Sequence, residues 1–301
     1  MLAPFLFMAT VRRSPCKVNL LLNVLGKRPD GFHELETILH PIPVFDELSF
    51  TKGGAGINLT CSEQSLPVDH RNLVYRAAAL FLEAAGIPEG VHIHLQKNIP
   101  LAAGLGGGSG NAAVTLSAMN ELFGTALPPQ RLEELGSQLG SDVPFFLQNT
   151  PALGTGRGER VQPLGWFPAL ADAWVLLIHP GFGISTPWAY QNLARFPDAL
   201  NGDPGRSTRL LARLRAAELN QVGPELYNSL EAPVLEKYPI LRLYQDFLLE
   251  QGADAALMSG SGSTTFALVS SQTVAERILE HFGSRFGDQI WTASAKLGPT
   301  A

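Results

Sequence analysis

The stretch that decides the fold is Pro100-Leu101-Ala102-Ala103-Gly104-Leu105-Gly106-Gly107-Gly108-Ser109-Gly110. It follows the alternating apolar residues Val91, Ile93 and Leu95, which predict a strand, and it leads into a helical stripe over residues 112–123. Glycines let main-chain N–H groups approach a ligand without a Cβ in the way, and the first N–H groups of a helix have no internal partner. Such a strand, loop and helix start suits a phosphate group, so the stretch predicts a nucleotide phosphate site.

Two common phosphate loops do not fit this stretch. No Gly-Lys-Ser/Thr follows it, which excludes the usual P-loop, and Ser109 stands where the last glycine of G-x-G-x-x-G would fall. A plain small-residue turn between a strand and a helix stays open as the alternative. Ordering so many glycines is unfavourable unless close approach matters, which favours the phosphate interpretation.

Composition narrows the class of protein. The chain has 301 residues, 45% of them hydrophobic and 16% charged, with a net charge of −5, which fits two globular domains and no nucleic-acid partner. Cys16 and Cys61 are the two cysteines, so we expect no disulfide framework and a reducing cytoplasm. The apolar run at residues 2–8 precedes Arg12, the reverse of a signal peptide, and is too short to span a bilayer. We expect an edge strand or a leader there, with Met8 as an alternative start, and no membrane partner.

Periodicity predicts an alternation of strands and helices. In the first half, the predicted strands are 18–24, 35–39, 47–50, 57–60 and 91–95, and the predicted helices are 72–85, the one after the glycine stretch, and 132–139. In the second half, the predicted strands are 174–178, two flanking residues 259–263, and 289–295, with helices at 186–195, 207–218, 239–251 and 273–282. The glycine-rich segment 154–158 indicates a division into residues 1–160 and 161–301.

Two residues are candidates for phosphoryl chemistry. Asp142 lies between Gly140, which ends a helix, and Val143-Pro144, so it either caps a short helix or serves as a general base that orients a hydroxyl. Lys17 lies on the polar face of its strand. It is either a solvated side chain or an ammonium beside Asp142 that keeps the carboxylate ionised and offsets charge on the transferring phosphoryl group.

Other polar residues carry weaker signals. His33 is either an incidental turn histidine or, with Phe32 beside it, a reader of a base edge. His92 and His94 share a strand face, but two ligands make a weak metal site, so we expect no protein metal cluster. The segment 259–263, Ser-Gly-Ser-Gly-Ser, is either a plain connection or a backbone that packs against the phosphate loop or its phosphates.

Three motifs in order carry a resemblance. Pro15-Cys-Lys-Val-Asn-Leu20 comes first, the glycine stretch second and the segment 259–263 third, and together they resemble the GHMP kinase superfamily (galactose, homoserine, mevalonate and phosphomevalonate kinases) over residues 14–295. Arg28–Thr37 and Gly140–Pro144 resemble more narrowly the branch that phosphorylates a cytidine-diphosphate-linked methylerythritol in the non-mevalonate route to isoprenoids. The Asp-Gly-aromatic-His block ending at His33 is the specific part of that resemblance.

The resemblance implies a fold and a reaction. The implied fold is α/β (α+β two-layer), with an N-terminal ATP-binding domain over 1–160, a C-terminal domain over 161–301 and the active site in the interdomain cleft. The implied reaction is ATP-dependent phosphorylation of the 2-hydroxyl of the methylerythritol, with Mg²⁺ and small-molecule partners. We expect a monomer or a weak homodimer. Two alternative functions stay open: another GHMP kinase, for homoserine or mevalonate, and a non-catalytic sensor with the same fold. A substrate without a base would not use Phe32, His33 and Tyr190, and a sensor would not need Lys17 and Asp142.

The resemblance also implies roles for individual residues. The catalytic pair is Lys17 and Asp142. The substrate residues are Asn19, Phe32, His33, Thr186 and Tyr190, with the cytosine stacked between Phe32 and Tyr190. The ATP residues are Asn72, Leu73, Lys97 and each residue from Pro100 to Gly110. Three positions depart from the family pattern: Cys16 replaces alanine, Phe32 replaces tyrosine, and Gly110 replaces a serine, which leaves the Ser109 hydroxyl for the metal-phosphate side.

Overall fold

The computed structural model describes residues 9–216 and 219–299. The predicted strand or leader at residues 2–8 and the alternative start at Met8 lie outside that part. Ten α-helices and eleven strands are assigned within it. The strands are β1 (Thr10–Lys27), β2 (His33–Lys52), β3 (Ile57–Cys61), β4 (Val91–Gln96), β5 (Ala152–Thr155), β6 (Arg160–Pro163), β7 (Trp174–His179), β8 (Tyr227–Asn228), β9 (Ala255–Met258), β10 (Thr265–Val269) and β11 (Trp291–Lys296). The helices are α1 (Leu73–Ala85), α2 (Gly107–Phe123), α3 (Pro129–Leu139), α4 (Val143–Gln148), α5 (Thr186–Leu193), α6 (Pro197–Leu200), α7 (Arg206–Arg215), α8 (Glu231–Lys237), α9 (Ile240–Glu250) and α10 (Gln272–Phe286).

The chain forms two compact units from interleaved segments. The first contains residues up to 15, 45–99 and 107–148, and the second contains 16–44, 100–106 and 149–301. The chain therefore passes between the two units five times rather than once near residue 160. The sequence-based division at 160 stays a prediction about family domains.

The first unit holds α1 to α4 with the strand segments that precede them. β2 pairs antiparallel with β4 from Glu47↔Gln96 to Lys52↔Val91, and β4 pairs parallel with β3. The predicted helix over 72–85 is confirmed. Asn72 caps α1 by accepting a bond from the Val74 N–H, and Gly86 ends it in the left-handed region at φ 64°. Helix α1 packs against α2, and the two helices bury small and apolar residues, among them Ala77, Phe81, Ala112 and Leu116.

The second unit contains a four-stranded antiparallel sheet of order β11-β7-β10-β9. Helices α9 and α10 pack on it and bury Leu241, Leu248, Ile278 and Phe282. The same unit contains the stretch of β1 that pairs parallel with β8 and the stretch of β2 that pairs with β5. These strands bring Lys17 and Asn19 into the second unit.

One strand prediction is wrong in its limits. The separate strands expected at 35–39 and 47–50 are parts of the single strand β2. Pro41 and Pro43, which cannot donate to a sheet ladder, lie between the stretch that pairs with β5, residues 37–39, and the stretch that pairs with β4, residues 47–52. The strand continues through both prolines.

Candidate active site

The glycine stretch divides at the boundary between the two units. Residues 100–106 belong to the second unit, and α2 begins at Gly107 in the first. Gly104 and Gly106 have φ values of 76° and 69°, which favour glycine strongly. A Cβ on Gly104 would lie 2.1 Å from the Ser259 carbonyl oxygen. The Gly104 position is therefore set by close packing of chain on chain.

The glycines in the first turn of α2 serve different purposes. Gly107 and Gly110 are buried, and a Cβ on Gly110 would lie 2.8 Å from the Pro15 carbonyl oxygen. Gly108 is exposed, and a Cβ there would meet one atom within 4 Å, a Leu73 methyl at 3.5 Å. Gly108 therefore leaves an open surface at the N-terminus of a 17-residue helix, where N–H groups lack internal partners. A phosphate fits that surface.

Lys17 is buried rather than solvated. Its residue is 3% exposed, and its Nζ donates to Asn19 Oδ1 at 2.5 Å and to the Gly104 carbonyl oxygen at 3.0 Å. Its main-chain N–H donates to the Leu105 carbonyl at 3.0 Å. The alternative of a solvated strand lysine is excluded. Lys17 fixes the turn of the glycine stretch through both its main chain and its side chain.

Asn19 orients that ammonium. Its Nδ2 donates to Thr37 Oγ1 at 2.8 Å, and the Thr37 hydroxyl donates to the Leu21 carbonyl at 2.6 Å. Asn19 and Thr37 are both buried at 4% exposure. Because Thr37 holds the amide in one orientation, Oδ1 is the atom presented to Lys17. The substrate contact predicted for Asn19 is an additional role that remains a prediction.

The segment 259–263 packs against the glycine stretch, as one of the two sequence interpretations proposed. Ser259 Oγ donates to the Gly104 carbonyl at 2.9 Å, and the Thr264 N–H donates to the Ala103 carbonyl at 3.1 Å. The Gly104 carbonyl thus accepts from both Ser259 and Lys17. A plain loop connection is excluded.

Two of the residues predicted to bind the base, His33 and Tyr190, contact each other in the second unit, whereas Phe32 and Thr186 contact other residues. The rings of His33 and Tyr190 stack with centroids 5.0 Å apart and planes 29° apart. Phe32 is 52% exposed, and the Arg157 guanidinium lies 4.6 Å from its ring centroid. Thr186, at the start of α5, shares a hydrogen bond with Ser261 at 2.7 Å. Burial lowers the pKa of His33, and repulsion from Lys27 lowers it further, which favours the neutral imidazole. A neutral imidazole can donate through one ring nitrogen and accept through the other.

The remaining predicted residues lie in the first unit. Asn72 caps α1, Leu73 begins it, and Asp142 stands half-buried directly before α4. Lys97 forms a buried ion pair with Asp46, the two side chains being 6% and 0% exposed. The pairing of Asp142 with Lys17 remains a prediction from the sequence.

Sequence reasoning missed Asp46. One of its oxygens accepts the N–H groups of Asn98 and Ile99 at 2.8 and 2.9 Å, and the other accepts Lys97 Nζ and Asn111 Nδ2. This carboxylate therefore fixes the chain just before Pro100 and the first turns of α2. Asp46 lies within β2, and the sequence around it contains no motif that would have identified it as a functional residue.

The expected Mg²⁺ would need few ligands from the protein. Among residues 9–216 and 219–299, no group of three or more His, Cys, Asp and Glu is placed to hold an ion. Mg²⁺ bound with nucleotides takes most ligands from phosphate and water and one or two from protein. The half-buried Ser109 hydroxyl, next to exposed Gly108 in the first turn of α2, fits that limited requirement. His94 bonds to Thr60 at 2.8 Å on the exposed face of β4.

Comparisons with known proteins identify the class. The profile described as "GHMP kinases N terminal domain" matches residues 72–150, and "GHMP kinases C terminal" matches 208–289. The chain belongs to the GHMP kinases and is an enzyme of that family. No helix in the described ranges has the length and apolar composition needed to cross a membrane.

Its relatives narrow the branch. The chain is 39% identical to the 4-diphosphocytidyl-2-C-methyl-D-erythritol kinase of Syntrophotalea carbinolica, over 94% of this chain and 96% of that protein. It is 40% identical to the kinase of the same name from Brevibacillus brevis, over 88% of this chain and 89% of the relative. A crystal structure of 4-(cytidine 5'-diphospho)-2C-methyl-D-erythritol kinase has a TM-score of 0.80 at 36% identity, covering 96% of this chain and 100% of that one. A homoserine kinase from Cytophaga hutchinsonii shares the fold, with a TM-score of 0.76 at 21% identity over 100% and 99% of the two chains.

Proposed function

We propose that the protein transfers the γ-phosphoryl group of ATP to the 2-hydroxyl of 4-diphosphocytidyl-2-C-methyl-D-erythritol, a step of isoprenoid biosynthesis. The observation that carries the proposal is buried Lys17, whose ammonium contacts a carbonyl of the glycine stretch and the Asn19 side chain. Phosphoryl transfer depends mostly on positioning and on charge stabilisation, and a desolvated cation at a phosphate loop supplies the second. The kinases of this name at about 40% identity support the choice of substrate.

The residues take the following roles in the proposed reaction. Asp142 accepts the proton of the 2-hydroxyl, the hydroxyl oxygen bonds to the γ-phosphorus, and the bond to the β-phosphate oxygen breaks, which releases ADP. Lys17 offsets the negative charge that develops on the transferring group. The N–H groups at the start of α2 hold the phosphates. The Ser109 hydroxyl would be a ligand of Mg²⁺, which would supply neutralisation of phosphate charge.

The cytidine end supplies orientation. Phe32 presents an exposed ring, and Tyr190 is held by its stack on His33. A cytosine offers a π-face to such rings, and each stack contributes about 1–3 kcal/mol. Binding of this remote group positions the reacting hydroxyl. Thr186 and Asn19 are the remaining proposed substrate contacts, and Asn72, Leu73 and Lys97 are proposed to line the adenine side.

We further propose a cytoplasmic enzyme that acts as a monomer or weak homodimer. The small number of cysteines supports a reducing compartment. Residues 1–160 and 161–301 are proposed to correspond to the ATP-binding and C-terminal family domains.

The test compares ADP release with the cytidylyl polyol, homoserine and mevalonate as acceptors. The proposal expects turnover with the cytidylyl polyol alone, and turnover with homoserine or mevalonate instead would refute it. Asp142→Asn is expected to lower kcat by about 10²–10⁴-fold while ATP affinity changes little. Asp246→Asn, at an exposed position of α9, is the matched control. Unchanged kcat in Asp142→Asn would remove that carboxylate from the reaction.

A further inference from the structure

Asn228 is a buried amide whose Nδ2 binds the segment that contacts the glycine stretch. It is 2% exposed and lies in β8, opposite Leu22 of β1. Its Nδ2 donates to the Met258 carbonyl at 2.7 Å and to the Gly260 carbonyl at 2.8 Å. Its Oδ1 accepts the Leu230 N–H at 2.9 Å. One side chain thus forms hydrogen bonds with the residue before Ser259 and with the residue after it.

Ser259, which lies between the two residues that Asn228 binds, contacts the proposed phosphate site. Ser259 Oγ donates to the Gly104 carbonyl, the same oxygen that accepts Lys17 Nζ. Gly260 lies against both groups: a Cβ there would be 3.2 Å from Lys17 Nζ and 3.4 Å from Asn19 Oδ1. A displacement of the 258–260 backbone by a few tenths of an ångström therefore changes the surroundings of the Lys17 ammonium directly.

A second, half-buried side chain holds the same segment. Glu231, at the start of α8, accepts the Met258 N–H at 2.8 Å and the Gln245 side-chain amide. Burial raises the pKa of Glu231, and its two donors oppose that effect. The main-chain N–H and carbonyl of Met258 are thus both bound by side chains. Both bonds restrict the backbone at the start of a glycine-containing loop.

We propose that Asn228 is a positioning residue for phosphoryl transfer: it fixes the Met258–Gly260 backbone so that Ser259 and Gly104 hold the Lys17 ammonium in its working position. The proposal rests on the function proposed above, because it assigns Asn228 to that reaction. Asn228 has no direct contact with the reacting atoms in this assignment. Its effect on rate therefore passes through the position of Lys17, a group expected to act in the transition state.

Asn228→Asp is the most direct perturbation. The substitution keeps the size of the side chain and the acceptor for Leu230, but it turns an oxygen toward two carbonyl oxygens in place of the donating amide. The 258–260 backbone must then move away. We expect kcat to fall by about 10–100-fold, with KM for ATP and for the acceptor changed by less than about threefold, because a misplaced transition-state group lowers kcat without weakening ground-state binding.

Asn120→Asp is the matched control. Asn120 also uses both polar atoms to hold a loop, with Nδ2 on the Leu127 carbonyl and Oδ1 accepting from Leu127 and Thr125. It lies about 20 Å along α2 from Gly107 at 1.5 Å per residue. We expect this variant to be destabilised to a similar extent and to keep kcat within about twofold of the wild type.

Hydrogen exchange gives a second readout that needs no turnover. Asn228→Asp is expected to raise exchange by at least threefold in peptides covering 258–264 and 103–105, and Asn120→Asp only near 120–127. Equal kcat in Asn228→Asp and wild type, or an equal loss in both variants, would overturn the proposal, as would unchanged exchange at 103–105. If the wild type does not phosphorylate the cytidylyl polyol, the proposed function fails, and the exchange experiment still decides whether Asn228 controls the glycine stretch.

Discussion

His40 makes the stability of the second unit depend on pH. The side chain lies on β2 at 1% exposure, its Nδ1 donates to the Pro41 carbonyl at 2.8 Å, and Trp166 packs edge-on at a centroid distance of 5.5 Å. Its Nε2 is buried without a hydrogen-bond partner in the part of the chain that the structure describes. A proton on Nε2 would place a charge in this apolar site. Burial therefore lowers the pKa of His40 from 6.5 to about 4.

The sign and size of the effect follow from that pKa. Between about pH 6.5 and pH 4 the unfolded chain binds a proton at His40 and the folded chain does not, so the free energy of unfolding falls as the pH falls. The full difference corresponds to about 3 kcal/mol, because each pH unit contributes about 1.4 kcal/mol. The stabilisation is fully present above pH 6.5 and is lost on acidification toward pH 4.

His40→Phe removes the titration. We expect the variant to be less stable at pH 7 by about 1 kcal/mol, since it loses the bond to Pro41. Between pH 7 and pH 4, however, its free energy of unfolding should decline by about 3 kcal/mol less than that of the wild type. Urea denaturation followed by tryptophan fluorescence measures this, because all four tryptophans belong to the second unit.

The control is His70→Phe, which removes an imidazole from an exposed position. Its pH dependence should follow that of the wild type closely. If wild type and His40→Phe decline in parallel on acidification, then His40 is not the buried neutral imidazole inferred above, and the reasoning is refuted.

Three further perturbations test the site. Asp46→Asn should lower the free energy of unfolding by about 3–5 kcal/mol in urea, because Lys97 would be left buried without its carboxylate; a loss below 1 kcal/mol would contradict the buried pair. Gly104→Ala should reduce kcat at least tenfold or prevent folding, because φ is 76° and the new Cβ would lie 2.1 Å from the Ser259 carbonyl oxygen. The control Gly165→Ala, which has open space around it, should change neither kcat nor folding. Tyr190→Ala should weaken binding of the cytidylyl substrate by about 1–3 kcal/mol, as calculated from the rise in its KM. An equal loss of binding for ATP would mean that the ring belongs to the ATP site.

Local signals in the sequence were sufficient for several elements. Helix α1 is bounded by an Asn cap and a glycine in the left-handed region, which act within a few residues and are visible in the sequence. Strand β4 alternates buried and exposed residues as its apolar pattern predicts. The full extent of β2 shows the limit of local signals, because its two stretches pair with β5 and β4, which lie far from one another in sequence.

The candidate site was found by motif and explained by packing. The sequence indicated that 100–110 binds phosphate, but it assigned all the glycines to that one purpose. Gly104 and Gly110 instead permit close approach of other segments of the chain, while Gly108 keeps an open surface. The distinction depends on what faces each glycine, and the facing residues lie far away in sequence.

What the sequence determined by itself is most of the local elements, the glycine stretch that leads into α2, and the family, because periodicity, caps and motifs are properties of short segments. The tertiary structure alone decided that Lys17 is buried, that Ser259 shares its carbonyl partner, and that Asp46 and Asn228 hold the chain beside the glycine stretch. The contact between Ser259 and Gly104 spans 155 residues of sequence. Such a contact follows from the packing of whole strands and helices, and no short pattern of residues encodes it.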